Sequence, residues 1–225
     1  MGRSAALFRT SIGLKITMAL SGIVFVGFVI GHMFGNLKVY QGAEVFNHYA
    51  EGLREFGDPF LQYGQALWIA RAVLIVALAA HVWSAVRLTR LSLAARNERY
   101  RRLEALEFSR ASRSMRWGGV ALLAFIAYHL LHLTFGTVHP DFIAGDAYHN
   151  LVSGFQSAPV AGVYAAAMIA LGLHLYHGVW SAFQTLGVTG PRINRWRRPL
   201  ALGIALIVVG GNLSFPVAVL TGFVS

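Results

Sequence analysis

The sequence predicts an all-α integral membrane protein with five transmembrane helices, and three observations carry that prediction. Five apolar runs are long enough to span a bilayer. Hydrophobic residues make up 56% of the 225-residue chain and charged ones only 12%, about half the charged share of an ordinary soluble domain. The basic residues also fall on alternate sides of the runs, as the positive-inside rule requires.

The length suits a single bundle, so residues 1–225 are read as one transmembrane domain. The expected spans are Ile16–Leu37, Tyr63–Leu88, Arg116–Val138, Pro159–Leu186 and Pro199–Leu220. Pro59, Pro159 and Pro199 lie near span starts, where a missing N–H costs little. Pro216 should bend the fifth span or end it early. The first span follows Arg3, Arg9 and Lys15 but is too long for a signal peptide and lacks a small-residue cleavage site, so it is expected to be retained. Val45, Phe46, Tyr49, Leu53 and Phe56 form an apolar stripe with Glu44, Glu51, Arg54 and Glu55 opposite, which predicts a helix lying in the interface. Leu91, Leu93, Tyr100, Leu103 and Leu106 are spaced to prolong the second span beyond the membrane as a docking surface.

The net charge of +10 and pI near 10.7 are explained by topology rather than by nucleic acid. The second loop holds Arg87, Arg90, Arg96, Arg99, Arg101, Arg102, Arg110, Arg113 and Arg116, and the fourth holds Arg192, Arg195, Arg197 and Arg198. The first loop is mixed and the third has no Lys or Arg. This places the N-terminus and the even loops in the cytoplasm and the C-terminus outside. Most of these arginines are accounted for by anionic lipid headgroups.

The chemistry is carried by histidine. Six of the nine histidines lie in predicted spans: His32 in the first, His81 in the second, His129 and His132 in the third, His174 and His177 in the fourth. An ionisable group within a span needs a partner or a task. A lone one is as often an interhelical hydrogen-bonder as a ligand, but four consecutive spans with a histidine each call for more. With alternating topology and a rise of about 1.5 Å per residue, His32 and His129 share the outer half of the membrane, and His81 and His174 the inner half. Two such pairs suit two stacked bis-histidine haems held by the first four spans as a bundle.

His132 and His177 each follow a proposed ligand by three residues; either could be the true ligand, and the spare member is read as a second-shell hydrogen-bonder. Gly27, Gly31, Gly35, Ala79, Ala80, Ala127, Gly172 and Gly178 could open space for a macrocycle, or simply serve close helix packing. His48, His139 and His149 fall in outside loops and are expected to be solvated.

Competing chemistries are poorly supplied. The chain has no cysteine, which excludes disulfides, thiolate zinc, cysteine-held iron–sulfur clusters and covalent c-type haem. The spans lack the acids that would complete a zinc or di-metal site, and the polar path a transporter would need.

Four segments resemble the cytochrome b membrane anchors of succinate:quinone oxidoreductases, the succinate dehydrogenase and fumarate reductase family, in their five-helix, two-haem, single-chain form. They are Val29-Ile30-Gly31-His32-Met33-Phe34-Gly35-Asn36-Leu37, Ala79-Ala80-His81-Val82-Trp83, Ala127-Tyr128-His129-Leu130 and residues 173–183, where His177-Gly178-Val179-Trp180-Ser181 is the most specific. The resemblance implies two haem b groups, the distal one on His32 and His129 and the proximal one on His81 and His174. It also implies an iron–sulfur subunit, a FAD-containing flavoprotein subunit and a membrane quinone, menaquinone being the expected type. The location implied is the bacterial inner membrane. On that reading the chain passes electrons and is not catalytic by itself, while the basic cytoplasmic loops contact the iron–sulfur subunit.

Some two-haem fumarate reductase anchors carry a glutamate just before the fourth-span ligand. Here Leu171-Gly172-Leu173 precede His174, which leans toward succinate oxidation. The alternatives are an anchor of a fumarate reductase, a hydrogenase or a formate dehydrogenase. The quinone site is left open between Lys15, Ser21 and Trp117 on the inner side and Asn36, Lys38 and Arg71 on the outer.

Overall fold

Thr10 starts the first helix by accepting a hydrogen bond from the Gly13 N–H at 3.0 Å, leaving the apolar run behind it free to cross the membrane. In this computed structural model, residues 10–94 and 106–225 are described, with side chains from 10–94 and 115–225. Arg3, Arg9, Arg96, Arg99, Tyr100, Arg101, Arg102 and Leu103 lie outside the described residues, as do the side chains of Leu106, Arg110 and Arg113.

The described elements are α1 (Ser11–Asn36), a 3-10 turn (Leu37–Gln41), α2 (Ala43–Glu55), α3 (Gln65–Ala94), α4 (Leu106–His129), a π-turn (Leu130–Thr134), α5 (Ala147–Gln156), α6 (Ala158–Thr185) and α7 (Pro191–Leu220). Among the described residues, five helices are long and apolar enough to cross a membrane: Ser11–Gln41, Gln65–Ala94, Met115–Thr134, Ala158–Thr185 and Pro191–Leu220. The protein is an all-α, multi-pass membrane protein.

Large apolar side chains face outward along these helices, among them Ile75, Val76, Ile169, Leu206 and Ile207, because the surrounding solvent is hydrocarbon. The 30 residues of α3 reach about 45 Å at 1.5 Å each, beyond a hydrocarbon core of about 30 Å. Arg87, Arg90, Leu91 and Leu93 are in α3, which is described as far as Ala94; Tyr100 and Leu103 of the expected prolongation lie outside the described residues, and Leu106 opens α4.

Three details differ from the sequence reading. α7 begins at Pro191, so Pro199 lies inside it rather than at its start. Hydropathy cannot register the arginine-rich first turns, although arginine is a good helix former. α7 also runs through Pro216 to Leu220 without ending early. The third span closes at Thr134, short of Val138, and Gly136 makes the exit turn at φ 71 with Phe142 packed where a Cβ would stand.

α6 packs on α1, α4 and most extensively on α7; α1 packs on α3, α6 and, more lightly, α7. Close approach is bought by small residues: a Cβ on Gly172 would meet Val209 at 2.6 Å, and one on Gly211 would strike Met33. Leu175, Ala205 and Val208 form the core between α6 and α7, joined by Val26, Val29 and Ile30 of α1.

One end of the bundle, the end expected outside, is closed by a cap. The expected interfacial helix is present as α2, and α5 is an element the sequence reading missed. Asp146 caps α5 by accepting from the His149 N–H at 2.9 Å and also accepts from Asn47 of α2 at 2.9 Å. Phe46, Leu151, Val152, Phe155, Tyr164 and Phe215 form the core beneath it.

Candidate functional site: two histidine pairs between unpacked helices

The packing leaves two gaps. α1 and α4 make no substantial backbone contact, nor do α3 and α6, although each pair shares a neighbour. Four of the histidines in the spans, His32, His81, His129 and His174, meet across these two helix pairs. His32 and His129 face each other with ring centroids 6.0 Å apart at 80°. His81 and His174 do so at 6.1 Å and 56°. His81 lies sixteen residues from the start of α3 and His174 sixteen from the start of α6, so equal rise brings them to matching depth.

This spacing has a chemical meaning. Two imidazole nitrogens bound trans to one first-row metal at about 2 Å each put their ring centroids roughly 6 Å apart, once half a ring is added on either side. No group of three or more His, Cys, Asp or Glu side chains converges among the described residues. A metal between either pair would need its other donors from a ligand that brings them, as a porphyrin does. At Gly27, Gly31 and Gly178 a Cβ would meet nothing within 4 Å, and Gly27 and Gly31 are exposed. The positions beside Gly35 and Gly172 are filled by Tyr49 and Val209.

The second nitrogen of each ring differs from site to site. His81 Nδ1 lies 3.2 Å from the Met18 carbonyl and 3.1 Å from Ser21 Oγ. An N–H there is satisfied across the α1–α3 contact, and Nε2 is left to accept or ligate. Ser21 itself is buried and donates to the Thr17 carbonyl at 2.7 Å. It therefore supports His81 and is removed from the candidate quinone donors. His129 Nδ1 lies 3.3 Å from Tyr164 Oη. The Asn36 amide is 3.4 Å from His32 Nε2. His174 Nδ1 is buried with no hydrogen-bond partner, the mark of a group whose ligand is missing or whose environment is incomplete.

The neighbouring histidines are set apart from the pairs. The π-turn that begins after His129 widens the helix and rotates His132 away from the side facing His32. His132 is 1% exposed, stacked between Tyr128 (5.5 Å, 9°) and His139 (4.7 Å, 18°), which leaves no face for a macrocycle. It shares Tyr164 with His129, at 3.0 Å from Nδ1. His177 rests edge-on against Trp180 at 5.1 Å.

His139 is not solvated as the loop position suggested. α5 folds over it, and its Nε2–H donates to the Asn150 carbonyl at 3.0 Å. His149 donates to the Asp141 carbonyl at 2.9 Å, and His48 is exposed.

Around the outer pair, a cavity of about 150 Å³ is lined by His32, Gly35, Asn36, Phe46, Tyr49, Ala50, Leu53 and Ala147. Lys38 lies over the Tyr49 ring at 5.3 Å, and Arg71 is held over Trp68 at 4.8 Å. Trp117, twelve residues before His129 on α4, is 75% exposed.

Fold and site together define a multi-pass helical membrane protein in which histidines of four spans meet in two facing pairs. Residues 94–212, just over half of the chain, match the family described as the succinate dehydrogenase/fumarate reductase transmembrane subunit. The chain belongs to that family. The matched region contains His129, His132, His174 and His177 and begins after His32 and His81. No curated protein and no solved structure gives a significant match.

Proposed function

We propose that this membrane anchor holds two b-type haems and passes electrons between an iron–sulfur subunit and a membrane quinone. The observation that carries the reading is the two pairs of facing imidazoles, each spanning two helices with at most slight backbone contact. His32 and His129 would hold the outer haem, and His81 and His174 the inner. Haem supplies a one-electron carrier at each position. The chain's own part is to set ligand geometry, to fix the His81 proton through Met18 and Ser21, and to keep water out with apolar helix faces.

The positive-inside pattern supports a cytoplasmic N-terminus and a bacterial inner-membrane location, with the basic loops toward the iron–sulfur and FAD-containing subunits. Family membership narrows the alternatives to fumarate reduction. The absence of any acid near His174 within its span supports succinate oxidation. The quinone, menaquinone as the expected type, is assigned to the cavity beside His32, where Asn36 and Tyr49 carry hydrogen-bond donors.

The test is the haem content of the complex purified with its soluble subunits. Two b haems per anchor chain are expected, and one or none overturns the reading.

A further inference from the structure

Tyr164 sits where the outer pair meets the cap. It is 6% exposed and is boxed in by Phe125 at 5.0 Å and Phe155 at 4.9 Å, both edge-on. Its single hydroxyl stands 3.3 Å from His129 Nδ1 and 3.0 Å from His132 Nδ1. One hydroxyl has one proton and can also accept, so only two directions are open between these three groups. If His129 ligates through Nε2, its own proton must lie on Nδ1, and that N–H can only donate to Tyr164 Oη. The tyrosine proton then points to His132 Nδ1, and the His132 proton is left on Nε2.

We infer that Tyr164, oriented by His132, is the positioning residue that fixes the tautomer and ring orientation of His129. This rests on the di-haem reading of the outer pair. Accepting from a ligand's N–H makes the ligand more basic, which favours the oxidised metal. Tyr164 therefore holds the outer haem at a lower potential than an unsupported histidine would, and the burial of His132 under α5 keeps the hydroxyl from turning away.

The experiment is a redox titration of the purified complex, followed by the absorbance of each haem, with Tyr164→Phe, His132→Leu and His132→Gln. Tyr164→Phe should keep two haems, raise the midpoint of the outer haem and leave the inner one in place. A tenfold change in the reduction equilibrium reads as 59 mV for one electron. His132→Leu should move the same haem in the same direction by less, and His132→Gln, which retains an acceptor, should restore it.

An outer midpoint unmoved in Tyr164→Phe, or both haems moving equally, overturns the assignment. Should Tyr164→Phe fail to assemble, the Leu and Gln variants decide, and equal behaviour of those two overturns it. Wild-type complex lacking the outer haem would instead overturn the di-haem reading and this assignment with it.

Discussion

The rings of His81 and His174 stand 6.1 Å apart, yet the helices that carry them make at most slight backbone contact. Apolar helices in lipid associate by close packing, so two imidazoles facing each other across helices with so little backbone contact are the arrangement on which the haem proposal rests. His81→Ala and His174→Ala should each remove the same haem, and the double variant should lose no more. His32→Ala and His129→Ala should remove the other. Difference spectra of the purified complexes check this; loss of different haems within one pair would refute the pairing.

Ser21 supports His81 but shares the task with the Met18 carbonyl. Ser21→Ala should therefore weaken haem retention at the inner site by less than the 10–100-fold typical of losing an outer-shell partner. Ser21→Val, which adds bulk against His81, should cost more. Haem loss on dilution, followed spectroscopically, measures both.

The glycines along α1, α6 and α7 divide by what faces them. Gly172→Ala would place a methyl 2.6 Å from the half-buried Val209 side chain, with an overpacking cost of about 1–3 kcal/mol. Gly211→Ala meets Met33, which is 2% exposed and has little room to move, and should cost a similar amount. Gly162→Ala, on an exposed face of α6 away from the histidine pairs, meets nothing and should be neutral or stabilising by up to about 1 kcal/mol through helix propensity. Thermal unfolding in detergent separates the two classes.

Asp146 ties α5 to α2 and caps α5. Its carboxylate is held below the usual range by the His149 backbone N–H first and the Asn47 amide second. A depressed carboxylate contributes stability above its unfolded value and loses it as pH falls through the folded value. Asp146→Ala should cost about 1 kcal/mol as a lost N-cap near neutral pH. The difference from wild type should shrink on acidification. Melting temperatures of both proteins across that range test this; a gap that widens toward acid would contradict it.

Much of the architecture was legible because hydropathy and charge act along the chain. Five apolar runs and an alternating arginine pattern suffice for span number, and histidine depth follows from a constant rise per residue. α5 was missed because its apolar face, Leu151, Val152 and Phe155, is short and follows a loop rich in turn residues. The burial of His139 went with it: a loop position reads as solvated until a cap folds over it.

The sequence alone determined the all-α membrane class, the five spans, and which helices carry histidine at which height. Only the tertiary structure decided which rings face each other, that His132 turns to Tyr164 and His139 instead of His32, and that Gly172 serves packing while Gly178 faces open space. The physical reason is that height along a helix is set by the chain's own geometry. The direction a residue faces, and what it meets there, depends on neighbouring helices and on a single π-turn after His129.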